Sequence, residues 1–557
     1  MDFLQIGVVL ALVMILAIPM AKYLSNVYSL ETTKQDRIFG RIERGIFKLS
    51  GIHTSDMNWK QYAKALLLSN LVMFIISYVI IRFQGVLPGN PSKIDNMDPL
   101  LAFNTAASFL TNTNLQHYSG ESGLSYLSQM VVIIFLMFVT PATGLALCIA
   151  VFRGVTGQRS LGNFYVDLIR SITRVLLPLS LLVGLVLVSQ GVPQTFKPTE
   201  IATTLEGDTQ SITRGPVAAL ESIKHIGTNG GGFFGVNSAH PFENPNGFTN
   251  ILEIIFMFLI PAALPLTFGY MAKNKKQGWI LFTTMGLMFL FFLSVTYFSE
   301  QNGNPALEEI GLSQENGSME GKEVRLGIAQ SALFTAVTTA ATTGSVNNMH
   351  DTLTPLGGLM PLVMMMLNNV FGGDGVGTVN ILMYSLMAVF IAGLMVGRTP
   401  EFLGKKIEGR EMKLIAITIL LHPLIILVPS AIALATQMGT SAISNPGFHG
   451  ISQVVYEFTS SAANNGSGFE GLGDNTPFWN ISTGLVMLFG RYFSMIAMIA
   501  IAGSLLAKKR VPETIGTFKT DNSTFGVILL ATVLIIGALT FFPVIALGPV
   551  AEWLTIR

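Results

Sequence analysis

Four short segments hold the residues with the most chemistry to offer. They read "FNTAASFLTNTN" (103–114), "LESIKHIGTNGG" (220–231), "FTAVTTAATTGS" (334–345) and "YEFTSSAANNGS" (456–467). Aligned without gaps, their last residues form three columns. The first column is Thr111, Thr228, Thr342 and Asn464. The second is Asn112, Asn229, Thr343 and Asn465, and the third is Thr113, Gly230, Gly344 and Gly466. Two further glycines, Gly231 and Gly232, follow in the second segment. Hydroxyls, amides and bare backbone are oxygen-donor chemistry, suited to a cation. The columns contain no Asp or Glu. Hard divalent ions prefer carboxylates, so neutral oxygens predict a monovalent ion. Rings of backbone carbonyls can replace the hydration shell of potassium. Glycine lets a backbone turn carbonyls inward through dihedrals that other residues adopt at a cost.

These clusters need elements that hold them. Each follows a half-apolar stretch of about 12 residues, roughly 18 Å of helix. That is half a membrane. A half-helix ending in irregular backbone is tolerated at membrane depth only if it is buried in protein or lines a wet cavity. The C-terminal ends carry partial negative charge, which favours a cation. The four copies recur about every 115–120 residues, the mark of an internal repeat. The chain of 557 residues is 50% hydrophobic and 12% charged, with a mean hydropathy of +0.56. Soluble domains are about 25% charged. A span needs about 20 apolar residues, and ten runs qualify: 4–24, 63–84, 127–152, 173–190, 251–272, 278–298, 359–397 (interrupted), 413–436, 480–507 and 525–549. The prediction is an all-α polytopic membrane protein with ten transmembrane helices. Four pseudo-symmetric helix–pore loop–helix repeats surround one pore. A first helix and basic loop (1–60) precede repeats at 61–160, 161–276, 277–411 and 412–510, and a last helix (511–557) follows.

Basic residues cluster at 34–60, 153–174, 273–276, 398–413 and 508–519, in every second connection. The positive-inside rule then predicts both termini outside the cytoplasm. The first run follows Asp2 without a basic n-region or a clear cleavage site, so a retained helix is expected. Cys148 is the single cysteine, which excludes an intrachain disulfide and a cysteine-based metal site.

At these residues the sequence resembles potassium transporters of the Trk/Ktr/HKT superfamily. It is more similar still to the potassium-binding A subunit of the bacterial Kdp potassium-transporting ATPase. The strings that carry this are "NTNLQHYSGE" (112–121), "GTNGGGFFGVNSAHPFENPN" (227–246), "MHDTLTPLGG" (349–358), "VGRTPEFLGKKIEGREMK" (396–413) and "NTPFWN" (475–480). The resemblance implies a potassium-selecting, channel-like, non-catalytic subunit in the bacterial inner membrane. A separate P-type ATPase subunit would hydrolyse ATP, with a C-type and a small F-type subunit completing the complex. It implies a filter at 111–113, 228–230, 342–344 and 464–466, with Gln116 tuning affinity and selectivity. The chain has no GxxxxGK[ST] loop, no DKTG string and no HExxH. No nucleotide or nucleic acid is therefore expected on it, and K+ is the expected ligand. The alternatives are a stand-alone Trk/Ktr/HKT-like transporter and a secondary transporter with inverted repeats.

The third repeat's second helix is interrupted by "MLNNVFGGDGVGTVN" (366–380). Each glycine costs a helix about 1 kcal/mol against alanine. Gly372, Gly373, Asp374, Gly375 and Gly377 are expected to form a gate loop beneath the filter, as the family has; a simple kink is the alternative. Where the family commonly has Glu, Asn368 and Asn369 stand here. Arg491 lies inside an apolar run. An intramembrane arginine usually faces the protein interior, so it is expected to brace the pore loops, with Glu457 one candidate partner. Glu243 is expected to tie the outer vestibule through hydrogen bonds, and 398–413 to orient the protein or dock the pump subunit.

Overall fold

Ten helices among the described residues are long and apolar enough to cross a membrane. The structure is a computed structural model and describes residues 2–397, 399–512 and 517–556. Arg398, in the basic connection above, lies outside the described residues. Helix α1 (Asp2–Val27) stands before the repeats; the basic stretch expected as a loop instead holds an amphipathic helix α2 (Lys34–Leu49), started by a Thr33–Asp36 capping box and held by Arg174. Unit one is α3 (Trp59–Arg82), the half-helix α4 (Pro99–Leu110) and α5 (Tyr126–Thr156). Unit two is α6 (Phe164–Ser189), the half-helix α7 (Val217–Ile226) and α8 (Gly247–Met271). Unit three is α9 (Lys275–Gln301), the half-helix α10 (Gly327–Ala340) and a broken span, α11 (Pro355–Leu367) with α12 (Val376–Met395). Unit four is α13 (Gly409–Ala435), the half-helix α14 (Phe448–Ala463) and α15 (Pro477–Ala507). Helix α16 (Ser523–Ile545) follows. The all-α expectation holds. Among the described residues, sheet is confined to two small antiparallel pairs, Glu200–Thr203 with Thr209–Ile212 and Glu401–Phe402 with Lys405–Lys406.

Local sequence explains where these helices restart after each loop. Asp98 accepts from the backbone N–H of Leu100 and Leu101 at 2.8 and 3.2 Å, with Pro99 as the first helical residue. Asn246 accepts from Phe248 and Thr249, Thr354 from Gly357, and Thr476 from Trp479. Short polar side chains at the N-cap satisfy donors that the helix leaves free, and Pro fits its first turn.

The units form a closed ring. Helix α15 of unit four packs on α4 and α5 of unit one, α8 on α9, and α11 on α14. Burial separates inner from outer helices: 83% of the apolar window of α5 and of α8 is buried, against 17% for α1 and 22% for the last span. The first and last helices therefore present most of their surface to lipid.

Two of the basic residues counted above as orienting charges are internal struts. Arg153 forms a fork on Asp167 at 2.7 and 2.9 Å and also donates to the carbonyls of Leu161 and Tyr28. Arg174 binds Glu43 of α2 at 2.6 and 2.5 Å and Asp36 at 2.8 Å. Both are fully buried, so α2 is clamped onto unit two rather than lying free.

Candidate cation site

Each half-helix ends in one repeated hydrogen bond. The N–H groups of Thr113, Asn229, Thr343 and Asn465 reach back five residues to the carbonyls of Ser108, Lys224, Thr338 and Ser460, at 3.0, 2.8, 2.8 and 2.9 Å. The residue before each of these four is left-handed: Asn112, Thr228, Thr342 and Asn464 have φ of 61, 46, 43 and 55°. These bonds define the equivalent positions, and they correct the gap-free alignment. Unit one slides by one residue. Thr111 is the helix cap, with φ −90° like Gly227 and Ala341 of the next two units. Its hydroxyl turns back to Ala107 and Ser108. Asn114 takes the place that Gly230, Gly344 and Gly466 occupy elsewhere. Sequence reading left Asn114 out. It is buried, has φ 59°, and its side-chain amide has no hydrogen-bond partner.

The four strands converge. A methyl group placed on Gly230 would lie 2.8 Å from the Thr343 carbonyl oxygen, 2.9 Å from that of Thr113 and 3.1 Å from that of Asn465. These three oxygens belong to equivalent residues of the other three units. Gly230 is glycine for space, since its φ is not positive. Gly344 and Gly466 need both space and dihedral, with φ 87 and 109° and the carbonyls of Asn465 and Thr113 against them. Gly231 and Gly232 are also closed in, by the Phe109 ring and by the Phe234 carbonyl.

The asparagine side chains in the columns tie the strands to one another and to neighbouring helices. Asn112 donates to the Thr228 carbonyl at 3.0 Å and accepts from Thr140 at 2.7 Å. Asn464 donates to the Thr113 hydroxyl at 3.0 Å, Asn465 to the Thr338 carbonyl at 2.9 Å, and Asn229 to the Met137 carbonyl at 3.1 Å. Gln116 bridges to Gly232 with both ends of its amide, accepting from its N–H at 2.8 Å and donating to its carbonyl at 3.2 Å. A polar chain behind unit two reaches the site as well. Asn237 donates to the Gly230 carbonyl at 2.7 Å, and buried Lys224 donates to Asn237 and to Glu243, each at 2.7 Å. Glu243 in turn accepts from the Phe234 N–H at 2.8 Å, so it ties the loop as expected. Lys224 and Asn237 were not singled out from sequence, because neither stands in a repeated column.

The broken span delivers its loop to the undersides of these strands. The N–H groups of Gly372 and Gly373 bond the carbonyls of Ala340, the last residue of α10, and of its cap Ala341, at 2.7 and 2.6 Å. The Asp374 N–H donates to the Thr228 hydroxyl at 3.1 Å. Asn368, Phe371, Gly372, Gly373 and Gly375 all have positive φ. The Gly377 α-carbon packs on that of Gly372. The Phe371 ring anchors the loop against Phe258, Phe282 and Phe289. The Asp374 carboxylate is buried with no hydrogen-bond partner. Arg491 lies beside this loop and donates to the Thr140 carbonyl at 3.4 Å. Glu457 is not its partner: that carboxylate pairs with His117 at 3.3 Å. The correction has a geometric cause, since Glu457 sits in the half-helix α14 and Arg491 faces α5.

Outside the strands, polar ties join neighbouring units. Between units three and four, Asp351 pairs with His449 at 3.0 Å and accepts from Gln453, while Glu470 accepts the N–H groups of His350 and Asp351. Burial alone would lower the His449 imidazole; Asp351 and Glu552 outweigh it and raise it to about 9. Burial is the largest influence on Glu470 and raises it to about 8.

Comparison with known proteins gives a family and a relative that span nearly the whole chain. The family profile described as "Potassium-transporting ATPase A subunit" matches residues 7–554. A protein of Geobacillus kaustophilus (strain HTA426), described as "Potassium-transporting ATPase potassium-binding subunit", is 63% identical over 557 residues, covering 100% of this chain and 99% of the relative.

Proposed function

This chain belongs to the potassium-transporting ATPase A-subunit family, and from that membership we propose that it selects K+ for an ATP-driven importer. The stand-alone transporter alternative finds no support in this family or this relative. The observation that carries the reading is the convergence of the Thr113, Thr343 and Asn465 carbonyls around Gly230. Such oxygens replace water around a dehydrating monovalent cation. In this reading the filter is 112–114, 228–230, 342–344 and 464–466, with Thr111 capping its first helix. Gln116, Gly231 and Gly232 set its outer edge. The loop from Gly372 to Gly377 is the gate, Asp374 supplies negative charge below the filter, and Arg491 limits that charge. ATP hydrolysis belongs to a P-type partner, accompanied by C-type and F-type subunits. The complex sits in the bacterial inner membrane with both termini of this chain outside.

The test is rubidium uptake by potassium-starved cells that lack their own uptake systems. Uptake is expected only when the chain is produced with its partner subunits. Asp374→Asn is expected to lower the uptake rate at saturating rubidium. Strong uptake by the chain alone would overturn the reading.

A further inference from the structure

Three side chains meet at the seam between units one and four, just outside the strands. His117, three residues beyond Asn114, points Nε2 at Glu457 Oε1 at 3.3 Å and at Asp474 Oδ2 at 3.7 Å. One ligand atom from each of the three lies within 4.8 Å of the others. His117 and Glu457 are buried, and the Asp474 side chain is 25% exposed, which leaves an approach from solvent. The orientation of the imidazole is fixed from behind. The Asn480 amide donates through Nδ2 to Asn475 Oδ1 at 3.0 Å, so its Oδ1 faces His117 Nδ1 at 2.7 Å. That oxygen can only accept, so Nδ1 carries hydrogen and Nε2 is the atom presented to the two carboxylates.

We propose that His117, Glu457 and Asp474 form a binding site for a divalent transition-metal cation of the Zn2+ class at the rim of the pore. The donor set is one imidazole nitrogen and two carboxylate oxygens. Zn2+ takes such ligands at about 2.0–2.2 Å in tetrahedral geometry. Atoms around such an ion lie roughly 3.4 Å apart, close to the two separations from Nε2. Three protein ligands leave a fourth position for water, and the partly exposed Asp474 marks the side open to solvent. A carbonyl oxygen behind the non-ligating ring nitrogen is the usual support of a metal-bound histidine. A second cluster, Glu221, His225 and Glu253, has similar ligand types. It already holds a cation, because Lys224 Nζ lies 2.8 Å from Glu221. The rival reading of the His117 cluster is an imidazolium paired with two carboxylates.

The full-length chain, purified and stripped of metal, is titrated with Zn2+ by calorimetry in potassium buffer. One site per chain is expected. His117→Gln is expected to weaken it by more than tenfold, and Asn480→Leu by roughly 10–100-fold, as for other supporting partners of metal-bound histidine. No binding, or binding that His117→Gln leaves unchanged, would overturn the proposal. X-ray absorption on the native chain with one equivalent of Zn2+ decides the matter if the variants fail to fold. A nitrogen and oxygen shell with one imidazole supports the site; sulfur or a second imidazole refutes it.

Discussion

Gly230→Ala probes the convergence directly. The new methyl group would meet the Thr343, Thr113 and Asn465 carbonyl oxygens at 2.8, 2.9 and 3.1 Å. Ordinary contact begins near 3.4 Å, so each oxygen must retreat by roughly 0.3–0.6 Å. In the proposed filter a bound cation would draw the same oxygens inward, so the conflict would fall on the ion-bound state. Overpacking of this kind costs about 1–3 kcal/mol. Expressed as ion affinity, that is roughly a 5- to 150-fold rise in the half-saturating potassium concentration. The assay is rubidium uptake, or potassium-stimulated ATP hydrolysis, by the assembled complex, with sodium as competitor. Gly247→Ala is the control, because the nearest atom to its added methyl is 3.9 Å away. Half-saturation within about twofold of the parent, with sodium still excluded, would refute the carbonyl cage.

Three further outcomes follow from the same geometry. Asn237→Ala removes the donor to the Gly230 carbonyl and an acceptor of buried Lys224; about 1–3 kcal/mol of stability should be lost, and competition uptake should show weaker discrimination against sodium. Arg153→Met leaves Asp167 buried without its fork and should destabilise the chain by about 3–5 kcal/mol in detergent melts, with Arg153→Met/Asp167→Leu recovering most of it. The raised imidazole of His449 gives a pH signature. A raised folded value means its stabilisation is complete below the unfolded value near 6.5 and is lost as pH climbs through about 9. The melting temperature should therefore fall more steeply between pH 7 and 10 in the parent than in His449→Gln, and equal slopes would exclude the pairing with Asp351 and Glu552.

Much of this architecture is written in local chemistry. Apolar runs long enough to span, half-length helices before polar clusters, and N-caps such as Asp98 and Thr476 act within a few residues of chain. They specify the ten spans, the repeated unit and the break between α11 and α12. Asn112 carried a local hint of its left-handed backbone, since asparagine visits that region more readily than other residues with a β-carbon. Thr228 and Thr342 carried none. For β-branched residues a positive φ is an outlier, and at Thr228 the hydroxyl accepts the Asp374 N–H from another element.

The register of unit one was decided by packing around the ring. Thr113 and not Asn112 aligns with Asn229, because three other strands press on the same point and only one register brings like carbonyls together. The partner of Arg491 and the burial of Arg153 are likewise long-range. Their neighbours Thr140, Asp167 and Tyr28 lie far away in sequence or on another helix. Composition and periodicity act along the chain, so the sequence by itself determined the ten spans and their order, while helix α2 (Lys34–Leu49) lies in a stretch that reads as a basic loop. Close approach between distant segments acts through space, so only the tertiary structure decided which carbonyl oxygens converge at Gly230 and which charges are struts.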